Sequence, residues 1–233
     1  MTIVIPMAGA GRRFKEAGFT FPKALTSIRG LPMLQWVVEN LGRPNAQYVF
    51  VASPEDLLRY DLAGMVGQLV KQGHIAPQRE RLGAAHAVLE GLVGHDLTDE
   101  LLIANCDQWL QWDSHHFWDV VVQSKADGII PVFPSTHPKW SYVHVEEQQV
   151  TEVAEKRVIS RWATCGLYYW RTAQQFVECA KAMMEDPTNQ VNGEWYVAPV
   201  YNELIRGGGR VEPYSKLTMY GLGTPEDLEE FKM

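Results

Sequence analysis

The sequence holds few cysteines and no surplus of positive charge. Its 233 residues include three cysteines, Cys106, Cys165 and Cys179, an odd number with no C-x-x-C spacing. That pattern points to reduced, buried thiols in a cytoplasmic protein. A nucleophilic role for Cys106 is not supported, because the adjacent Asp107 offers no base-plus-orienter arrangement. Lys and Arg number 21 against 28 Asp and Glu, for a net charge of −7 and a pI near 5.5. This balance argues against general nucleic-acid or anionic-membrane binding, which calls for a basic stripe. No apolar run approaches the roughly 20 residues that span a bilayer, and no basic segment precedes the first apolar run. A soluble, unprocessed, cytoplasmic chain is expected. Internal repeats, low-complexity tracts and Pro/Gly-rich linkers are also missing. Two standard nucleotide motifs are absent as well: there is no G-x-x-x-x-G-K-[ST], and Phe14 stands where a dinucleotide fingerprint needs its third glycine.

What the sequence does have is concentrated near its start. The apolar run Ile3-Val4-Ile5 leads into Ala8-Gly9-Ala10-Gly11-Arg12-Arg13-Phe14, and Pro22-Lys23 follows. A buried strand ending in a glycine loop lets backbone N–H groups approach an anion closely. Any strand-to-helix turn can hold glycines, so the basic residues decide. Arg13 suits a bidentate grip on phosphate oxygens, and Lys23 a compact charge at the reacting phosphate. The loop therefore reads as a triphosphate site.

Hydrophobic content of 46% with 11% aromatics is ample for a packed core, in one domain over 1–233 with approximate lobes 1–112 and 113–233. Strand-like segments at 3–7, 48–52 and 101–105 alternate with helical ones at 34–41, 54–71 and 83–92. The alternation predicts βαβ units and a mostly parallel sheet, with ligands at the carboxyl ends of its strands. Further on, 128–133, 142–145, 150–154 and 166–170 read as strands, and 172–185 and 195–206 as helices. The segment 157–162 reads as a connecting loop rather than a mobile lid. Asp107 follows the buried run 101–104, where a carboxylate at a strand end can bind Mg²⁺ or cap a following helix; the upstream loop favours the metal. Gln78 carries donors and an acceptor for the edge of a base, and Gly83 would let a base lie against backbone.

The opening signature resembles that of the sugar-phosphate nucleotidyltransferases, or nucleotide-sugar pyrophosphorylases. The resemblance rests on Gly9 to Phe14, Pro22-Lys23-Ala24-Leu25 and Gly30 to Leu34. It extends in order through Gln78, Gly83 to Ala87, Asn105-Cys106-Asp107, Glu155-Lys156, Thr164 to Tyr168 and Gly223 to Leu228. It implies a Rossmann-like three-layer α/β/α fold with a mixed, mostly parallel central sheet. It also implies Mg²⁺ as cofactor, and a nucleoside triphosphate and a phosphorylated small molecule as partners. A homo-oligomer is left open. By resemblance, Arg13, Lys23 and Lys156 carry catalysis; Ala8, Gly9, Gly11, Gln78, Gly83 and Asn105 bind nucleotide; Glu155, Gly166 and Glu194 bind the acceptor; Asp107 binds metal. Trp195 and Tyr196 read as core rather than pocket. One departure stands out: many members carry an Asp, a second metal ligand, where this chain has Gly221. The expected product is an activated nucleotide-sugar for capsule or lipopolysaccharide-type glycans. A cytidylyltransferase for a non-sugar phosphate such as phosphocholine, a glycosyltransferase of related fold, and an inactive nucleotide-binding module are the alternatives.

Overall fold

The computed structural model describes residues 1–231. Its strands are β1 (Thr2–Pro6), β2 (Ser27–Ile28), β3 (Leu31–Pro32), β4 (Gln47–Ala52), β5 (Gly73–Pro77), β6 (Leu101–Ala104) and β7 (Gln108–Trp112). These are followed by β8 (Gly128–Pro134), β9 (Ser141–Glu146), β10 (Gln149–Glu155), β11 (Trp162–Thr164), β12 (Leu167–Trp170), β13 (Val211–Tyr214) and β14 (Leu217–Gly221). The helices are α1 (Arg12–Glu16), α2 (Met33–Asn40), α3 (Pro54–Arg59), α4 (Leu62–Leu69), α5 (Ala84–Gly91), α6 (Ser114–Gln123), α7 (Ala173–Met184), α8 (Tyr201–Arg206) and α9 (Pro225–Glu230).

One ten-stranded sheet takes strands from both halves of the sequence, in the order β10-β9-β11-β8-β12-β6-β1-β4-β5, with β13 beside β8. Strands β5, β4, β1 and β6 run parallel, and so do β8 and β13; β12 enters antiparallel between β6 and β8. Strand alternation sends successive side chains to opposite faces. Val4, Val49 and Val51 pack with Ala85 and Val88 of α5 and Phe176 and Ala180 of α7. Ile3, Ile5, Tyr48 and Phe50 pack on the other face with Leu34, Val38, Leu62, Val66, Phe117 and Val121 from α2, α4 and α6. Both faces are therefore apolar and helix-covered, which is why the strands read as continuous apolar runs. This is the mixed sheet, with mostly parallel core strands, of a Rossmann-like three-layer fold.

Two helical expectations need correction. The stretch 54–71 breaks at Tyr60-Asp61, because the Asp61 carboxylate accepts from Gly64 N–H and starts a new helix there. The stretch 195–206 is helical only from Ala198. A 3₁₀ turn at Ala198–Val200 precedes α8, while the Trp195 backbone bonds Leu82 and Ala85 instead of a helical turn. Segment 157–161 is a loop, tied down where Ser160 Oγ donates to the Val143 carbonyl at 2.6 Å. Among the described residues, no helix is long and apolar enough to cross a membrane.

Candidate active site

Parallel pairing of β1 with β6 brings the loops after both strands to the same edge of the sheet. Gly11, at φ +58°, is the N-cap of α1, and Arg13 two residues on lines a cavity of about 530 Å³. Lys23 opens a 3₁₀ turn after Pro22 and places Nζ 2.5 Å from Asp107 Oδ2. Burial works against the charge on Lys23, but the adjacent carboxylate outweighs it and holds the ammonium well above its ordinary pKa. No helix follows Asp107; β7 begins at the next residue, so the carboxylate caps nothing and lines the cavity.

The same cavity gathers Asn105, Glu155, Lys156 and Gly166, three of which come from segments more than 40 residues beyond Asp107. Lys156, at φ +52°, follows β10; its Nζ lies 2.5 Å from Tyr196 Oη and 4.3 Å from that ring's centroid. Tyr196 thus belongs to the cavity, contrary to expectation, while Trp195 is core at 6% exposure. Glu155 accepts a short hydrogen bond from Ser141 Oγ; burial raises its pKa, with Ser141 and Lys156 opposing the shift. Glu194 is exposed and does not line the cavity.

Ala8, Gly9 and Gly11 line an adjoining cleft with Ser53 and Arg81, and Lys23 borders both spaces. Gln78 is 7% exposed, and its Nε2 donates to the carbonyls of Glu80 (3.0 Å) and Gly83 (3.4 Å). Those bonds fix the amide's orientation and turn its oxygen away from the loop backbone. Gly83, at φ +113°, faces protein: an added Cβ would lie 2.5 Å from both N and O of Trp195. Its lack of a side chain serves that backbone contact rather than an open wall.

Lys139, Trp140, Gln108 and Asp227 line the cavity too, and sequence reasoning missed them as site residues. Asp227 was traceable only as a helix-start signal: Thr224 and Asp227 form a capping box on α9. Its Oδ1 lies 3.3 Å from Lys139 Nζ. The Gly221 position that lacks a carboxylate faces this one, since a Cβ there would lie 3.5 Å from Asp227 Cγ. A Cβ on Gly223 would sit 3.0 Å from Asp107 Oδ2 and 3.8 Å from Asp227 Oδ2, so glycines keep open a cradle between two carboxylates. No group of three or more His, Cys, Asp or Glu suited to a metal occurs among the described residues. Asp107 and Asp227 offer two hard oxygen donors on one cavity, a donor set that would suit Mg²⁺. Burial pushes the thiols up, Cys106 to about 11 and Cys165 to about 12, so neither supplies a thiolate near neutrality.

A glycine loop at a parallel-strand edge, in a cleft that adjoins a cavity lined by lysines and carboxylates, is an arrangement suited to binding the phosphates of a nucleotide. The MobA-like NTP transferase domain profile matches residues 3–183, and the chain belongs to that family. A solved nucleoside-diphosphate-sugar pyrophosphorylase from Vibrio cholerae RC9 superposes with a TM-score of 0.86 at 27% identity, covering 98% of each chain. A UDP-glucose pyrophosphorylase complexed with UDP-glucose shares the fold, at a TM-score of 0.79 and 18% identity over 98% of this chain and 95% of that one. The bifunctional protein GlmU of Thermotoga petrophila is 36% identical over 90 residues, 38% of this chain and 18% of that protein. GlmU of Bartonella quintana is 29% identical over 113 residues, 48% of this chain and 24% of that protein. The matches cover less than a quarter of these curated relatives' length.

Proposed function

We propose that the protein joins a nucleoside triphosphate to a sugar phosphate, releasing pyrophosphate and making a nucleotide-sugar for capsule or lipopolysaccharide-type glycan synthesis in the cytoplasm. The observation that carries this reading is the convergence of Arg13, Lys23, Lys156 and Asp107 on one cavity. An acceptor phosphate oxygen forms a bond to the α-phosphorus as the bond from that phosphorus to the bridging β-phosphate oxygen breaks. The electron pair leaves with pyrophosphate, and no covalent intermediate forms. Such a transfer needs two mutually repelling anions held in line and charge stabilisation, with little covalent chemistry from the protein.

Arg13 holds the β- and γ-phosphates, with the backbone of Ala8, Gly9 and Gly11 along the adjoining cleft. Lys23 and Lys156, which line the same cavity, stabilise charge around the α-phosphate, and Lys156 also contacts the acceptor phosphate. Asp107, with Asp227 across Gly223, would hold Mg²⁺, which when bound neutralises phosphate charge as a Lewis acid. Gln78 presents its amide oxygen to an N–H on the base edge. Glu155 and Gly166 face the acceptor. Asn105 lies against Gly166, its Nδ2 2.7 Å from where a Cβ there would stand, and binds nucleotide beside the acceptor.

A sugar is favoured over choline by the aromatic residues. Lys156 lies 4.3 Å from the Tyr196 ring centroid and Lys139 4.6 Å from that of Trp140, so each ring already carries a cation that would repel a quaternary ammonium. The test is pyrophosphate release with Mg²⁺, each common nucleoside triphosphate, and a panel of sugar 1-phosphates plus phosphocholine, with Asp107→Ala as control. Acceptor-dependent release that the variant loses supports the reading. Triphosphate binding without release across the panel overturns it.

A further inference from the structure

Residues 78–83 form the loop between β5 and α5 and carry Gln78 and Gly83. The loop begins as a continuation of the sheet, with Gln78 N donating to the Ala52 carbonyl at 2.8 Å. Its far end is held where the Leu82 carbonyl accepts from Trp195 N at 2.8 Å. Between these ties, Arg79 N donates to both carboxylate oxygens of Glu90, each at 3.0 Å. Glu90 stands in the last turn of α5, where the helix dipole disfavours an anion. Its side chain is only 16% exposed, and its ion-pair partner among the described residues is His86, whose Nδ1 lies 3.7 Å from Oε2 and carries charge only when protonated. A carboxylate that breaks the charge rule of its own helix, largely out of solvent, is offset here by the backbone N–H it holds.

That N–H belongs to the residue next to Gln78. A side chain that reads the edge of a base needs a backbone fixed to about 0.5 Å. The bonds from Gln78 Nε2 to the Glu80 and Gly83 carbonyls lie within the loop, so they orient the amide but travel with the loop. Glu90 ties the loop to the helix behind it and so supplies the placement. We infer that Glu90 is a positioning residue for base discrimination: through Arg79 N–H it sets where Gln78 meets the base, and it leaves the hold on the phosphates alone. The inference rests on the reading of Gln78 as the base-facing residue. The phosphate-facing Arg13 and Lys23 come from α1 and the turn after Pro22, and Lys23 is held by Asp107, so neither depends on Glu90 for its position. Base and phosphate recognition are thereby separable.

The experiment compares the wild-type protein with Glu90→Leu, which removes the acceptor, and Glu90→Asp, which keeps the charge but draws it back from Arg79. Glu90→Gln, which keeps an acceptor oxygen, is the conservative variant. Calorimetric binding in the presence of Mg²⁺ is measured for ATP, GTP, CTP, UTP, dTTP and inorganic tripolyphosphate, beside thermal melts. Pyrophosphate release with a panel of sugar 1-phosphates is followed in parallel. The wild type is expected to prefer one base, and Glu90→Leu and Glu90→Asp to reduce that preference roughly tenfold, the scale of one lost hydrogen bond to a charged group. Tripolyphosphate binding is unchanged in both, and Glu90→Gln restores most of the preference. A wild type without base preference, variants that keep it, or variants that lose tripolyphosphate to the same degree overturn the assignment. Loss of the folded state in both Glu90→Leu and Glu90→Asp overturns it too, since Glu90 would then be a general structural tie. Base preference that depends on Glu90, without pyrophosphate release, would uphold this inference and overturn the transferase reading. Release with a base preference independent of Glu90 would do the reverse, and absence of binding to every compound would overturn both.

Discussion

Replacing Gly83 with alanine should unfold the protein at a lower temperature without any direct contact with ligand. At φ +113° an L-residue is strained, and the new methyl would lie 2.5 Å from the N and O of Trp195, both of them backbone atoms. Those atoms have little freedom: Trp195 N donates to the Leu82 carbonyl at 2.8 Å and Ala85 N to the Trp195 carbonyl at 2.9 Å. Strain at a disfavoured backbone conformation and overpacking each cost on the order of 1–3 kcal/mol, for a total of about 3 kcal/mol. For a chain of this size that corresponds to a drop in melting temperature of roughly 6–12 °C. Gly9→Ala is the matched control, since nothing lies within 4 Å of its added Cβ and its φ is not positive. Its melting point should stay within about 1 °C of wild type, and its loss should be in triphosphate affinity. Thermal melts of both variants, followed by circular dichroism with and without nucleotide, make the comparison. Wild-type melting for Gly83→Ala alongside destabilisation for Gly9→Ala would refute the reasoning.

Glu155 has a raised folded-state pKa from burial, so its ionisation costs stability: the favourable contribution is present at low pH and is lost as pH rises through the folded value. Glu155→Gln should therefore melt higher than wild type at pH 7, with the difference shrinking toward pH 4, as a pair of calorimetric melts would read. Asp227→Asn keeps an oxygen for the α9 cap but removes a charge from the cradle at Gly223; Mn²⁺ affinity by electron paramagnetic resonance should fall about tenfold or more. Lys156→Met should lower kcat by roughly 10²–10³ with little change in melting temperature, as steady-state pyrophosphate release and a melt would show. Iodoacetamide at pH 8 should leave the native Cys106 and Cys165 unmodified by mass spectrometry, because burial keeps both thiols protonated.

The parallel half of the fold was legible because Ile3, Val4 and Ile5 are all apolar, as a strand covered on both faces requires. The 172–185 helix was legible too, since Thr172 and Gln175 mark its start with a capping box. The break at Tyr60-Asp61 was not, for neither residue is a helix breaker and only the Asp61 side chain turning to Gly64 ends one helix and begins another. The start of α8 was hidden for a different reason, as the bonds that take Trp195 out of the helix come from Leu82 and Ala85, more than a hundred residues earlier. At the site, the motifs located the lysines and Asp107, each next to a local signature. Gln108 stands beside the Asp107 signature and Asp227 within the Gly223 to Leu228 run, but neither motif shows that they share a cavity, and only the pairing of β7 with β14 brings their segments together.

The Lys23–Asp107 pair gives the ligand-free protein a closed circuit of charge. Salt screens a partly buried pair far less than an exposed one, so added salt leaves largely intact the tie by which two residues 84 positions apart fasten the turn after Pro22 to the end of β6.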